Sequence, residues 1–300
     1  MNMLSKASLA VFPKGFMNEL SDGTMSLLAW IEMAGTLGAD GLEMYPRFLR
    51  DLTEPTLLTI KAAAKRQGLQ IPMMCSSPDF THPDPQFRDN EVEHMKRLIW
   101  AMSVLGPDSF RSCRVLSGQR RAEVPREDGV RWTVDAIRRL LPFAAEHHVY
   151  LVMENHYKDG YWTAPEFAQQ SEVFLEIIGQ IDSPWFGVNY DPSNAIVAGE
   201  DPLALLERVK HRVVTMHASD RHIKPGYSLE HLDRHDSAGY SSALLHGVIG
   251  SGLNDYDRIF TELRSVNFRG WISIEDGVNG LDELRRSVVF VRKKMAAYLT

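Results

Sequence analysis

Apolar residues along the chain fall into short runs, separated by longer segments in which they recur every three or four positions. The runs at 8–12, 39–45, 69–76, 109–116, 149–155, 186–191, 212–219 and 270–276 predict eight strands. Most are continuously apolar rather than alternating, the pattern of a parallel sheet covered by helices. Between them, segments 27–37, 54–66, 89–104, 130–146, 166–178, 202–209, 255–265 and 281–299 predict helices. In the third of these, Val92, Met95, Leu98, Ile99 and Met102 share one helical face. In the fourth, Val134, Ile137, Leu140, Leu141 and Ala144 do the same, and Pro142 predicts a bend or an end there.

Gly38, Gly68, Gly106 and Gly179 punctuate helix ends, and Pro55 and Pro202 suit first helical turns. Eight strand–helix units in series predict an α/β fold, a closed (β/α)8 TIM barrel, as one domain over residues 1–300. A doubly wound sheet is the alternative, but no G-x-G-x-x-G turn follows the first strand. The seventh unit carries an insertion at 222–252 with four histidines, long enough to expect an active-site cap.

Composition narrows the function classes. The 300 residues carry 33 Lys plus Arg against 39 Asp plus Glu, a net charge of −6. That balance argues against a general hold on nucleic acid or anionic membrane. No apolar stretch is long enough to span a bilayer, and the first residues lack the core of a signal peptide. Cys75 and Cys113 read as two reduced core cysteines of a cytoplasmic protein, with a single disulfide as the alternative.

Chemistry-bearing residues gather at one place in the repeated unit. Glu154, Asp191, His217 and Glu275 end the fifth, sixth, seventh and eighth predicted strands. In a barrel the C-terminal strand ends converge on one rim, where active sites form. Two Glu, one Asp and one His make an oxygen-rich set with one nitrogen, suited to Mn²⁺, Mg²⁺ or Co²⁺ rather than a thiolate-selective metal. Any one of them alone reads as a solvated or paired carboxylate; four in consecutive units read as a metal centre.

The segments M-E-N-H at 153–156, D-P-S-N at 191–194 and S-I-E-D at 273–276, with H-P-D-P at 82–85 followed by E-V-E-H-M-K-R at 91–97, resemble the xylose-isomerase-like barrel superfamily. It holds sugar isomerases and epimerases, inosose dehydratases and relatives of endonuclease IV. The resemblance covers almost the whole chain. It implies one divalent metal, manganese first with magnesium, cobalt or zinc as alternatives, on Glu154, Asp191, His217 and Glu275. It also implies that Glu154 and Glu275 lie on opposite faces of the substrate and exchange its proton. The ketose 3-epimerases carry another Glu six residues after the first ligand, where this chain has Gly160, and a His three residues after the Asp, where it has Asn194. These departures weaken simple ketose epimerisation. The segment N-H-Y-K-D-G-Y-W at 155–162 is similar to the large subunits of metal-dependent deglycosidases that act on 3-oxo-glycosides. The three-metal, histidine-rich set of the endonuclease branch is not reproduced.

The expected function is a divalent-metal-dependent isomerase or epimerase of a keto-sugar or related polyol, working by proton abstraction next to a carbonyl. A lyase on an oxo-sugar, either a dehydratase or a glycoside deglycosidase, shares that first step and is the alternative. A non-catalytic sugar-binding barrel is the third reading. His156 shares the face of Glu154 if the strand continues and stands as a further catalytic candidate, or as a support for a ligand. Glu43, His82, Arg221, Asn194, Tyr161, Trp162 and His246 are the candidates for substrate contact. Three have plainer readings: a buried structural carboxylate for Glu43, a pair with Asp220 for Arg221, and punctuation of the return to the last helix for His246. The expected partner is a small sugar or glycoside, with no nucleic acid and no membrane. The resemblance adds a homo-oligomer, or a complex with a small β-rich subunit if the deglycosidase reading holds.

Overall fold

The structure, a computed structural model, describes residues 5–228 and 239–299. Eight parallel strands form the central sheet: β1 (Ser8–Val11), β2 (Gly41–Leu42), β3 (Met73–Met74), β4 (Ser112–Val115), β5 (Tyr150–Glu154), β6 (Phe186–Tyr190), β7 (Val213–Ala218) and, eighth around the ring, β10 (Trp271–Ile274). Their order is β2-β1-β10-β7-β6-β5-β4-β3. The two ends of that order meet through parallel bridges at Gly41–Gln70 and Met44–Met74, which close the barrel. Every residue of β4, β5, β6 and β10 is buried, which is why these runs read as continuously apolar rather than alternating.

The seam between β2 and β3 is the weakest part of the ring. Strands predicted at 39–45 and 69–76 shorten there to two residues each. Pro72, which has no N–H to give a ladder, spends its carbonyl on Ser112 N at 2.9 Å.

The helices are α1 (Met17–Asp22), α2 (Leu27–Ala34), α3 (Glu54–Arg66), α4 (Pro85–Leu105), α5 (Arg126–Glu146), α6 (Ser171–Gly179), α7 (Pro192–Val197), α8 (Pro202–Val209), α9 (Tyr256–Ser265) and α10 (Leu281–Tyr298). α4 starts four residues before its predicted start at 89. Asp84 caps it by accepting from Gln86 N at 2.9 Å, and Pro85 fills the first turn. α5 runs through Pro142 without ending. α6 starts five residues after the predicted 166, because Glu166 is drawn into a bridge with Gln119 instead. The insertion after β7 begins as β8 (Arg221–Ile223) and returns as β9 (Leu244–His246), paired antiparallel. Its histidines 231 and 235 lie outside the described residues. Cys75 and Cys113 are both free and buried. Among the described residues, no helix is long and apolar enough to cross a membrane.

Candidate metal centre

Each barrel strand delivers one polar or charged side chain to the C-terminal rim, at or just beyond its last residues. In ring order of the sequence these are Lys14, Glu43, Cys75, Arg114, Glu154, Asp191, His217 and Glu275. The last four bring a ligand atom apiece within 4.8 Å of one another, all buried. His217 is the hub. Its Nδ1 lies 3.0 Å from Glu275 Oε2 and 3.3 Å from Glu154 Oε1. On the other side of the ring, Nε2 lies 3.1 Å from Glu43 Oε2.

The four side chains are held, not merely adjacent. Asp191 is the N-cap of α7, and its Oδ1 accepts from Ser193 N, Asn194 N and Ser219 Oγ at 2.8, 3.1 and 2.7 Å. Its backbone forms a reciprocal pair with the Asn155 side chain, at 2.7 and 2.9 Å, which locks the end of β6 to the end of β5. Glu154 takes Arg114 Nη1 on Oε2 at 2.7 Å and Asn194 Nδ2 on Oε1 at 3.0 Å. Glu275 takes Lys14 Nζ on Oε1 at 2.9 Å. Gly15 lets that lysine come close: a Cβ there would stand 2.6 Å from the Gly277 carbonyl oxygen, in the loop beyond Glu275.

These contacts set the charges. Burial works to neutralise Glu154, but His217 and then Arg114 outweigh it and hold its carboxyl down to about 2. Burial likewise opposes the charge of Glu275, and Lys14 and His217 overcome it, leaving the group well below the usual carboxylate range. Asp191 has no cation bonded to its carboxylate, and the pull of Arg221 is outweighed. Burial, then the charges of Glu154 and Glu275, push it up to about 6.

The donor set fits a divalent cation. Nδ1 of His217 is enclosed and has no hydrogen-bond partner. Burial opposes a charge on His217, but Glu154, Glu43 and Glu275 overcome it and hold the ring protonated, with carboxylate oxygens facing both of its nitrogens. A divalent cation can displace the Nδ1 proton and take over its role among these oxygens, since metals bind the neutral imidazole and ionised carboxylates. Three carboxylates and one imidazole suit a hard or borderline ion and keep open positions for a substrate. Glu43, Cys75 and His217 form a second close group. There burial and then Glu43 push the Cys75 thiol up, so it stays protonated and donates to Glu43 Oε2 at 3.0 Å. Glu43 thereby fixes the His217 ring from behind, as carboxylates do for metal-bound histidines.

The remaining sequence candidates divide. His156 is buried beside Glu154, with Nδ1 3.6 Å from Glu166 Oε2. Arg221 is buried, donates Nη1 to the Asp220 carbonyl at 2.9 Å and faces Asp276 Oδ2 at 3.7 Å. The Asp220 carboxylate accepts backbone N–H groups of Arg221, Gly250, Gly252 and Asn254 rather than the Arg221 guanidinium. His246 is carried by β9 back onto the rim, where Nδ1 meets Asp276 Oδ1 at 3.2 Å. Tyr161 is exposed at the mouth with Arg47 over its ring at 3.7 Å, and Trp162 is half-buried next to it. His82 stacks on Phe87 at 4.0 Å and accepts from Asp84 N at the start of α4; none of its described contacts reaches the ligand set. The sequence did not single out Lys14, Arg114 or Glu166. Arg114 carried a usable signal: a lone charge inside a four-residue strand that is otherwise S-C-V must find a buried partner.

Comparison with known proteins agrees on the architecture. A family model described as xylose isomerase-like TIM barrel matches residues 31–294. An inosose dehydratase of Geobacillus kaustophilus is 29% identical over 146 residues, 47% of this chain and 44% of that protein. The matches to the first four such dehydratases take in only 44–45% of those proteins' own lengths. An inosose dehydratase of Clostridium botulinum is 22% identical over 285 residues, 90% of this chain and 89% of that one. Among solved structures, a D-tagatose 3-epimerase-like protein superposes with a TM-score of 0.73 at 16% identity, covering 97% of this chain and 98% of that one. At that identity the likeness shows the fold alone.

Proposed function

The chain belongs to the xylose isomerase-like TIM barrel family, and from that premise we propose a divalent-metal-dependent lyase that deprotonates an oxo-sugar or oxo-cyclitol next to its carbonyl. The ion would be held by Glu154, Asp191, His217 and Glu275, with Mn²⁺ the first expectation. When bound, it supplies Lewis acidity that makes the neighbouring C–H easier to ionise.

One observation carries the choice of lyase over epimerase. Both metal-side glutamates have a cation on one carboxylate oxygen: Arg114 on Glu154 at 2.7 Å and Lys14 on Glu275 at 2.9 Å. Such pairing keeps them as ligands and makes them reluctant bases. His156 is the nearby base with no such commitment. Inversion at carbon needs a group on each face of the substrate, whereas elimination needs one. In the proposed step His156 takes the proton from carbon. The C–H electron pair becomes a C=C bond, and the substituent on the next carbon leaves with its own pair and is protonated by water. Lys14 and Arg221 orient substrate oxygens, and β9 sets His246 at the rim. The dehydratase names of the relatives above support the same ordering.

A second reading keeps the isomerase or epimerase. It is favoured by Glu154 and Glu275 reaching the same His217 nitrogen from two strands, so that they flank the centre. The experiment separates the two. The metal-loaded protein is incubated in deuterated water with an aryl 3-oxo-glucoside and, separately, with inosose. Release of the aryl alcohol or of water supports the lyase. Deuterated epimer without release supports the second reading. Absence of any exchange in either probe, with about one metal ion per chain present, removes both.

A further inference from the structure

Glu166 is a buried carboxylate that the reaction outlined above does not use. It lies between β5 and α6, and its backbone is tied down twice: to the Tyr157 carbonyl at 2.7 Å and in the bridge to Gln119. Its Oε1 accepts from Ser117 N and Ser117 Oγ, at 2.7 and 2.6 Å. Ser117 Oγ in turn accepts from Ala168 N at 3.0 Å. The carboxylate is therefore clamped in one orientation from the loop after β4. Its second oxygen, Oε2, is enclosed and has no hydrogen-bond partner. The nearest titratable neighbour is His156, whose Nδ1 is enclosed, equally unpartnered and 3.6 Å away.

Two enclosed polar atoms facing each other without a bond are costly to maintain. They are half a bond-length adjustment from an N–H···O contact, and active-site hydrogen bonds in ligand-free structures are often long. The His156 ring also lies against Tyr157, with centroids 5.5 Å apart at 22°, which limits how it can turn. We propose that Glu166 is a positioning residue that accepts the Nδ1 proton of His156. This fixes the imidazole as the tautomer with its lone pair on Nε2, the nitrogen left available to act as the base. The inference rests on His156 being the base, but the pairing itself can be tested without turnover.

The test is the tautomer of His156 in the ¹⁵N-histidine-labelled, Zn²⁺-loaded protein, read from long-range proton–nitrogen correlations. The His156 signals are those absent in His156→Gln. The wild type is expected to show protonated Nδ1 and bare Nε2. In Glu166→Gln the amide keeps the acceptor for Ser117 and turns an N–H₂ toward His156, so the tautomer reverses. The exchange rate into the aryl 3-oxo-glucoside should fall about 10²–10⁴-fold in kcat with KM within about threefold and metal content unchanged. If Glu166→Gln fails to fold, Ser117→Ala loosens the clamp, and a mixed tautomer population is expected. Bare Nδ1 in the wild type, or an unchanged tautomer in Glu166→Gln, overturns the proposal. Full turnover in His156→Gln overturns the base assignment instead and leaves the tautomer result standing.

Discussion

The rim is built from two halves with different duties. β5, β6, β7 and β10 present Glu154, Asp191, His217 and Glu275, the groups that can hold an ion. β1 to β4 present Lys14, Glu43, Cys75 and Arg114, and each supports a member of the first half. Lys14 bonds Glu275, Arg114 bonds Glu154, and Glu43, backed by Cys75, bonds His217. Asp191 instead draws its support from its own half: the first turn of the helix it caps, Ser219 after β7 and Asn155 after β5. The difference teaches that this centre is electrostatically prepared before any ion arrives. Two of its carboxylates are kept charged by protein cations, and its histidine is kept oriented by a buried carboxylate.

Changes in the ligand half should be the most damaging. Glu154→Gln and Glu275→Gln are each expected to cut turnover by at least ~10³-fold while the barrel stays folded, because the charge that organises the centre is lost. Circular dichroism and steady-state kinetics check this, and full activity in either variant would contradict the division. In His217→Ala, elemental mass spectrometry should find the metal reduced from about one equivalent to traces.

Changes in the supporting half should separate stability, chemistry and affinity. Arg114→Met strands a fully buried Glu154 charge and is expected to cost on the order of 3–5 kcal/mol in urea unfolding. A loss below ~1 kcal/mol would show that the pair contributes little to the fold. Lys14→Met leaves the ligands in place, so metal content should persist while turnover falls roughly 10–100-fold. Glu43→Gln should weaken metal affinity by about 10–100-fold, measured by competition with a chelator. The smallest effect is expected for Cys75→Ser, which keeps a donor to Glu43; metal affinity should stay within roughly threefold. A large loss there would make Cys75 a ligand and merge the two halves.

The two halves were not equally legible. The candidate ligands stood out because each ends an apolar run, and four such ends in series imply a shared rim. Glu43 was visible for the same reason. Lys14 was not: it sits in a short turn after β1, and its partner Glu275 is 261 positions away. Arg114 and Glu154 are 40 apart, with a whole helix between them. Glu166 was hidden differently. It fell at the start of a predicted helix, and its pull toward Ser117 delays that helix to Ser171.

The order of strands and helices, the covered parallel sheet and the presence of acidic and imidazole groups at the strand ends were determined by local pattern, since burial period and turn residues act over a few positions. Tertiary structure alone decided which cation meets which carboxylate and which His217 nitrogen faces Glu43. It also decided that His82 belongs to the start of α4 and that the insertion brings His246 back to Asp276. Those pairings depend on distances across a closed ring, and ring closure brings together residues that no spacing along the chain relates.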